Sequence, residues 1–387
     1  MRRRHFLGAL LPAGTAGCLQ FEDEAATESA TDGAVTGTAS DLSRDEGGST
    51  PTDTGAPDPA TVALESRWVE DSPWIGQMTV LGRNVIVNAS EGVRCLDVET
   101  GEERWQALGE SVSYVDQLHS DGGSIFVFAG GGDDRRLYVL DSADGTVRGS
   151  VSYERSPGDQ PIVTSEHVIF GTLDTEIDES LLYAVDRERL EIEWTTTVEE
   201  TSSGFSGGVV AAGTVHVGFH NSLRGFSLSD GSLQYRSPLT FASPVAFEDS
   251  LVAAKRDTFV RIALPSLSVE WELPRKAIEI PEVVGDRVFS KTRNGVFAVD
   301  ATDGTELWHD TIQESSSGPG GPSIHGNVLW LAGPDNAIYG YAAESGEQVH
   351  EQVYEQSDDE IEGVEATDHG LVVRLSQGVA GYAIEDE

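Results

Sequence analysis

Residues 295–310, GVFAVDATDGTELWHD, repeat the grammar of residues 92–106, GVRCLDVETGEERWQ: an apolar run, an Asp, a Gly four residues on and a Trp four beyond that. Aligned on the Asp slot, the chain reads Asp97, Asp141, Asp186, Ser227, Ala263, Asp300, Ala342 and Ala383, a spacing of about 41 residues. The Gly slot holds Gly101, Gly145, Leu190, Gly231, Leu267, Gly304 and Gly346. The Trp slot holds Trp105, Gly149, Trp194, Tyr235, Trp271, Trp308 and His350. A period of this length marks a repeat architecture, in which each unit buries its apolar face only by stacking on the next.

Each repeat reads as four short strands. In the sixth, IPEVV, RVFSK, VFAVD and TELWH are apolar-alternating runs separated by Gly-Asp, Arg-Asn-Gly and ATDG turns. The Asp carboxylate is placed to bond backbone N–H groups ahead of it, and Gly supplies the positive φ of the tight connection. On this reasoning Leu190 and Leu267 demand a different turn and make their blades less regular. The Trp falls on the outermost strand, where its ring can be trapped between neighbouring blades and bury ~150–250 Å². Radial four-stranded sheets make a β-propeller.

The chain stops at Glu387 after three strands of its last repeat. ALESRWVED, residues 63–71, carries Trp68 in the same context as TELWHD and supplies the missing fourth strand. The fold expected for residues 61–387 is therefore all-β: an eight-bladed propeller of four-stranded antiparallel blades. An N-terminal strand joining the C-terminal blade closes it and hides two sheet edges.

The motif L-D-x-x-T-G-x-x-x-W, whole in LDVETGEERW and nearly so in VDATDGTELW, resembles the pyrroloquinoline-quinone (PQQ) repeat. That family includes quinoprotein alcohol dehydrogenases and non-enzymatic eight-bladed propellers such as the lipoprotein BamB. The resemblance implies the fold strongly and the function weakly, because propellers of one fold host unrelated activities. Related dehydrogenases hold the quinone with a calcium bound by Asn, Glu and Asp, use an Asp as base, and often place a vicinal Cys pair beneath the cofactor. This chain has two cysteines, Cys18 and Cys95, and no such pair.

Upstream of the repeats lie an address and a spacer. Residues 1–17 combine a basic start with a short apolar stretch, too short to span a bilayer and suited to a signal peptide. Arg3, Arg4, Phe6 and Leu7 match the twin-arginine core R-R-x-F-L. Ala16, Gly17 and Cys18 resemble a lipobox, which makes Cys18 the lipidated residue; an uncleaved anchor with an incidental Cys is the other reading. Residues 18–60 are small, polar and acidic, and read as a disordered linker. Localisation follows: extracytoplasmic, anchored to the outer face of the cytoplasmic membrane.

Charge excludes one class of partner. Asp and Glu number 66 against 25 Lys and Arg, a formal charge of −41, so no cationic surface exists for nucleic acid. An acidic surface can collect cations or a basic partner. It can also be an adaptation to molar salt, where the Debye length falls to about 3 Å and self-repulsion is screened. The acids run from end to end and Lys occurs only at 255, 276 and 291, which favours the salt reading and resembles haloarchaeal surface proteins.

Chemistry-bearing patterns are sparse. His216 and His220 would share one strand face, but four residues along a strand span about 13 Å, too far for one metal. His119 and His325 read as solvated turn residues. The Gly-rich stretches at 206–208 and 315–322 precede inner strands and do not open helices, so neither is a phosphate cradle. Loops at 130–136, 172–180 and 355–363 are oxygen-rich enough for calcium without matching an EF-hand. Asn88 heads the sequon Asn-Ala-Ser, and Cys95 in VRCL reads as a small buried hydrophobe. No catalytic residue or metal ligand is assigned; PQQ and calcium are the cofactors the resemblance raises, and no specific residues call for them. The expected function is a non-enzymatic binding and assembly scaffold for a protein, peptide or glycan, with a quinoprotein oxidoreductase as the alternative.

Overall fold

The sixth repeat folds as strands Glu282–Val284, Arg287–Thr292, Gly295–Asp300 and Glu306–Asp310, the boundaries its alternation and turns predict. Seven other sheets repeat this pattern, each antiparallel, and the eight form a ring, an eight-bladed β-propeller. The computed structural model describes residues 62–386 except 72–74, 90–91, 131–133, 159, 175–178, 200–204, 220–221, 240–241, 256, 279–280, 313–320, 334–335 and 354–358. The chain divides into two units, Met1–Ala56 and Pro57–Glu387, and all described residues belong to the second. Arg3, Arg4, Cys18 and the linker lie outside them.

Blade one spans Ile75–Leu108 and blade two Val115–Ser152. Blade three carries its inner strand in two pieces, Ser156–Pro157 and Ile162–Val163, both paired with His167–Asp174. Its stretch 172–180 mostly lengthens the central hairpin, since Thr172 pairs with Leu181 and Asp174 with Glu179. In blade eight, Val62–Asp71 pairs antiparallel with Gly378–Asp386, from Val62 opposite Asp386 to Asp71 opposite Gly378. The closing strand read from Trp68 is thus in place.

The Asp slot works as its spacing suggested. Asp97 Oδ1 accepts the N–H groups of Glu99 and Thr100 at 2.9 and 3.1 Å. Asp141, Asp186 and Asp300 bond the residues ahead of them in the same way. Burial alone would raise the Asp97 carboxyl, but its bonds to Arg104 and to those N–H groups outweigh that and hold it at about 2.

The Gly slot has a second cause that the turn alone did not reveal. Each Trp leaves its own blade and lies on the Gly of the next. A Cβ on Gly304 would stand 2.6 Å from the Trp271 ring, and one on Gly346 2.4 Å from Trp308. Trp68 sits on Gly101, Trp105 on Gly145 and Trp194 on Gly231 in the same way. At four of these seams the indole N–H is satisfied across the seam: Trp271 Nε1 donates to Ala301 O at 2.9 Å, Trp308 Nε1 to Ala343 O at 3.0 Å, Trp68 Nε1 to Val98 O at 2.9 Å and Trp194 Nε1 to Leu228 O at 2.9 Å, while Trp105 Nε1 is buried without a partner among the described residues. Apolar clusters follow the seams, one joining Phe259 and Trp271 of blade five to Val288 and Phe297 of blade six.

The expectation for Leu190 and Leu267 is corrected. Both keep the glycine turn, with φ of 55° and 58° and the same closing bonds, Leu190 N–H to Asp186 O at 3.0 Å and Leu267 N–H to Ala263 O at 2.9 Å. What changes is the partner. Opposite Leu190 the Trp slot holds Gly149, and a Cβ there would lie 2.5 Å from Leu190 Cδ1, so the leucine fills the space an indole takes elsewhere. Opposite Leu267 it holds Tyr235, which leans over Gly225 of its own blade and bonds His216 Nδ1 at 2.5 Å.

Candidate functional site at the mouth of the central channel

Inner strands begin at the face that carries the connections between blades, and at that end five of them are distorted. Register shifts fall between Ile75 and Met78, Val115 and Gln117, Phe205 and Gly208, Ala242 and Val245, and Ile361 and Gly363. Bulges of this kind bend a strand and re-aim its side chains. Three of these bulges, in blades one, two and eight, fall in strands that line a cavity of about 520 Å³, whose lining comes from blades one, two, three, six, seven and eight, which places it on the central axis.

Its polar lining is Gln77, Gln160, Glu282, Ser323, Glu362, Glu365 and Arg374. Several of these groups tie one inner strand to the next. Ser323 Oγ accepts Ala366 N–H at 3.0 Å, Glu365 Oε2 accepts Val80 N–H at 2.7 Å, and Gln77 Oε1 accepts Leu118 N–H at 2.5 Å. The Arg374 guanidinium pairs with Glu362 and donates to Gly76 O at 3.0 Å. Burial pushes the Glu365 carboxyl up to about 7, against the pull of Val80 N–H and Arg374 and with a further push from Glu282. Glu282 is itself raised by burial.

Linkage gives the Glu365 shift a sign. A carboxyl whose folded value lies above its ordinary 4.5 favours the fold fully below that pH and loses the contribution as pH rises towards 7. Glu365→Gln keeps an acceptor for Val80 N–H and cannot ionise. The variant is expected to match the parent near pH 4 and to exceed its stability near pH 8 by on the order of 2–3 kcal/mol, read from denaturation midpoints at the two pH values. Equal stability at both would remove Glu365 from the enclosed position assigned to it.

The sequence-predicted residues lie elsewhere. Asp97, Asp141, Asp186, Asp300, their glycines and Trp68, Trp105, Trp194, Trp271 and Trp308 occupy the blade rims, with the Asp–Gly turns at the opposite face, and none lines the cavity. Asn88 is corrected: it is 1% exposed and its Oδ1 accepts Gln77 N–H, so the folded Asn88 side chain offers a glycan no access. His119 is also corrected, for it lies within strand Val115–Asp121, where burial lowers its pKa. His325 ends strand Ser323–His325 and is half-exposed. His216 is buried against Tyr235; His220 lies outside the described residues. Cys95 is fully buried and its thiol is pushed up to about 12, an inert side chain. Of the calcium candidates, Asp134 pairs with Arg136 at 3.1 Å.

The cavity residues were missed because no motif carries them. Their one sequence signal is charge inside apolar strands, Arg374 in GLVVRL and Glu365 in IEGVEAT. The lining does contain acids and amides, so the fit of a quinone can be tested. A planar polycarboxylate wants an aromatic platform and free cations; among the described residues no aromatic ring lines the cavity, and Arg374 is already committed to Glu362. Among the described residues no three of His, Cys, Asp and Glu converge closely enough for a metal ion. The described lining residues do not fit the PQQ–calcium pair.

Fold and site together define a Trp-docked, eight-bladed propeller with a charged axial cavity. The family described as outer membrane protein assembly factor BamB matches residues 89–263 and 237–381. The chain belongs to that family. No curated protein sequence matches it. Among solved structures it is similar to BamB from Moraxella catarrhalis, with 16% identity over 84% of this chain and 98% of that one, at a TM-score of 0.61. The computationally designed Ika8 protein gives 14% identity over 82% and 98%, with a TM-score of 0.63. A europium-containing methanol dehydrogenase gives 11% identity over 80% and 84%, with a TM-score of 0.60. Likeness at these identities is likeness of fold.

Proposed function

We propose that the chain is an exported, lipid-anchored propeller that binds a protein or peptide partner at the outer face of the cytoplasmic membrane, without catalysis. The observation that carries this reading is the state of the cavity's polar groups. Gln77, Ser323, Glu362 and Arg374 are engaged in holding inner strands together, and no nucleophile–base pair forms among them. Such a lining supports rigidity and recognition, whereas proton transfer needs a positioned donor and acceptor. Membership of a family described by outer-membrane protein assembly supports the same reading. With a charge of −41 and a lipobox-like leader, the assembled client is proposed to be a surface protein in molar salt.

The test places a photo-crosslinking residue at Tyr114, 44% exposed on the connection between blades one and two, and at Glu188 in a turn of the opposite face. In cells, a discrete protein adduct is expected from position 114 and none from 188. In parallel, the purified chain is titrated with PQQ, with and without calcium, in molar salt. Turnover of alcohols or sugars with an artificial electron acceptor would replace the scaffold reading with the oxidoreductase.

A further inference from the structure

The charge of the cavity is unbalanced in a particular way. Three carboxylates line it, from Glu282, Glu362 and Glu365, against one cation, Arg374. Glu362 takes that cation through its side chain, and Arg374 Nη2 adds a bond to Glu362 O at 3.2 Å. Glu282 has no hydrogen-bond or ion-pair partner among the described residues. Glu365, which also lines the cavity, is bonded only through Oε2, to a backbone N–H, and its Oε1 has no donor among the described residues. Two enclosed carboxylates lie within reach of each other's field, and the one cation that acts on Glu365 is hydrogen-bonded to Glu362 instead, an imbalance that a further cation relieves.

The remaining chemistry narrows the cation. Of the polar groups without a partner among the described residues, the Glu282 carboxylate and Glu365 Oε1 only accept hydrogen bonds, and the Gln160 and Gln77 amides at their edge can also donate. Met78, Leu118, Pro281 and Val364 supply apolar wall between them, suited to a methylene stem. A bare metal ion would find no third His, Cys, Asp or Glu close by among the described residues. We propose that the cavity mouth binds one organic cation, a guanidinium or alkylammonium group on an aliphatic stem, held between Glu282 and Glu365. This deepens the scaffold reading and rests on it: in that setting the cation is an Arg or Lys side chain of the partner, and the same chemistry would accept a free amine. The inference also separates these two acids from the other acids of the chain. Exposed carboxylates are screened in molar salt, while an enclosed pair keeps most of its field.

The experiment is calorimetric titration of the full chain in molar salt with two probes: agmatine, and a blocked tripeptide with a single central Arg. Saturable one-to-one binding is expected. Glu282→Gln and, independently, Glu365→Gln should each weaken it about ten-fold or more, as loss of a charged hydrogen bond would. Glu110→Gln, at an exposed position, serves as the control and leaves binding unchanged. Binding should tighten as pH rises towards 7 and Glu365 loses its proton, with Glu282, Glu362 and Arg374 the other charges facing it. Tripeptide binding at least as tight as agmatine assigns the site to a partner's side chain; agmatine alone assigns it to a free amine. Absence of saturable binding by either probe overturns the proposal, as does calcium binding that Glu282→Gln abolishes. Because Glu365→Gln retains the Val80 bond, it keeps the test decisive if Glu282→Gln does not fold. A negative result here with the position-114 adduct intact rejects the cation site and leaves the scaffold standing.

Discussion

Trp308→Ala is expected to lower the free energy of unfolding by ~3–5 kcal/mol, the range for truncating a buried aromatic. The ring is 9% exposed and belongs to the cluster joining Phe289 and Val296 of blade six to Leu329, Leu331 and Tyr341 of blade seven. It stacks on Tyr341 with centroids 6.2 Å apart, covers Gly346, and donates from Nε1 to Ala343 O at 3.0 Å. Truncation therefore opens a cavity at a seam and leaves a carbonyl without its donor. Chemical denaturation in molar salt reads the loss as a lower midpoint at unchanged slope. A change below about 1 kcal/mol would mean that the seam is held by the remaining contacts and that the indole is incidental.

The second large effect comes from the seam where the motif is inverted. Gly149→Trp alone puts an indole onto Leu190 and should cost about 1–3 kcal/mol, as overpacked cores do. Leu190→Gly alone removes half-buried packing but also removes left-handed strain at φ 55°, so it should change stability by about 1 kcal/mol or less. Together they rebuild the Trp-on-Gly pair present at five other seams. The double variant should be at least as stable as the parent, with a coupling of about 2–3 kcal/mol in a double-mutant cycle. Additive losses would show that the two residues do not share one space.

The ring was legible because its determinants are local and repeated. A Trp eight residues after an Asp fixes an outer strand and a turn each time it occurs, and Trp68 out of order announces the closing strand. The pairing of each Trp with the Gly of the following blade was not legible, since one repeat alone explains its Gly by the turn. For the same reason Leu190 was read as breaking a turn that it keeps. The axial cavity was hidden for a different cause. Val80 and Glu365, or Gly76 and Arg374, meet only after the ring closes, and among 66 acidic residues a charge set within an apolar strand is the one local sign of those that face inward. Enclosure gives those acids their properties, and enclosure is a property of the assembled ring.

The closing strand also decides how the molecule answers a pull. Any load applied through the N-terminal segment arrives first at Val62, opposite Asp386. From that end the antiparallel ladder would peel bond by bond, as a zip does. Six residues in, past the bulge between Ser66 and Trp68, the peel meets an indole seated on Gly101 and Gly381 and bonded to Val98 O. Further travel then requires dragging that ring out of blade one. Trp68 therefore acts as a catch: the residues ahead of it give way first, and the propeller itself opens only when the catch gives way.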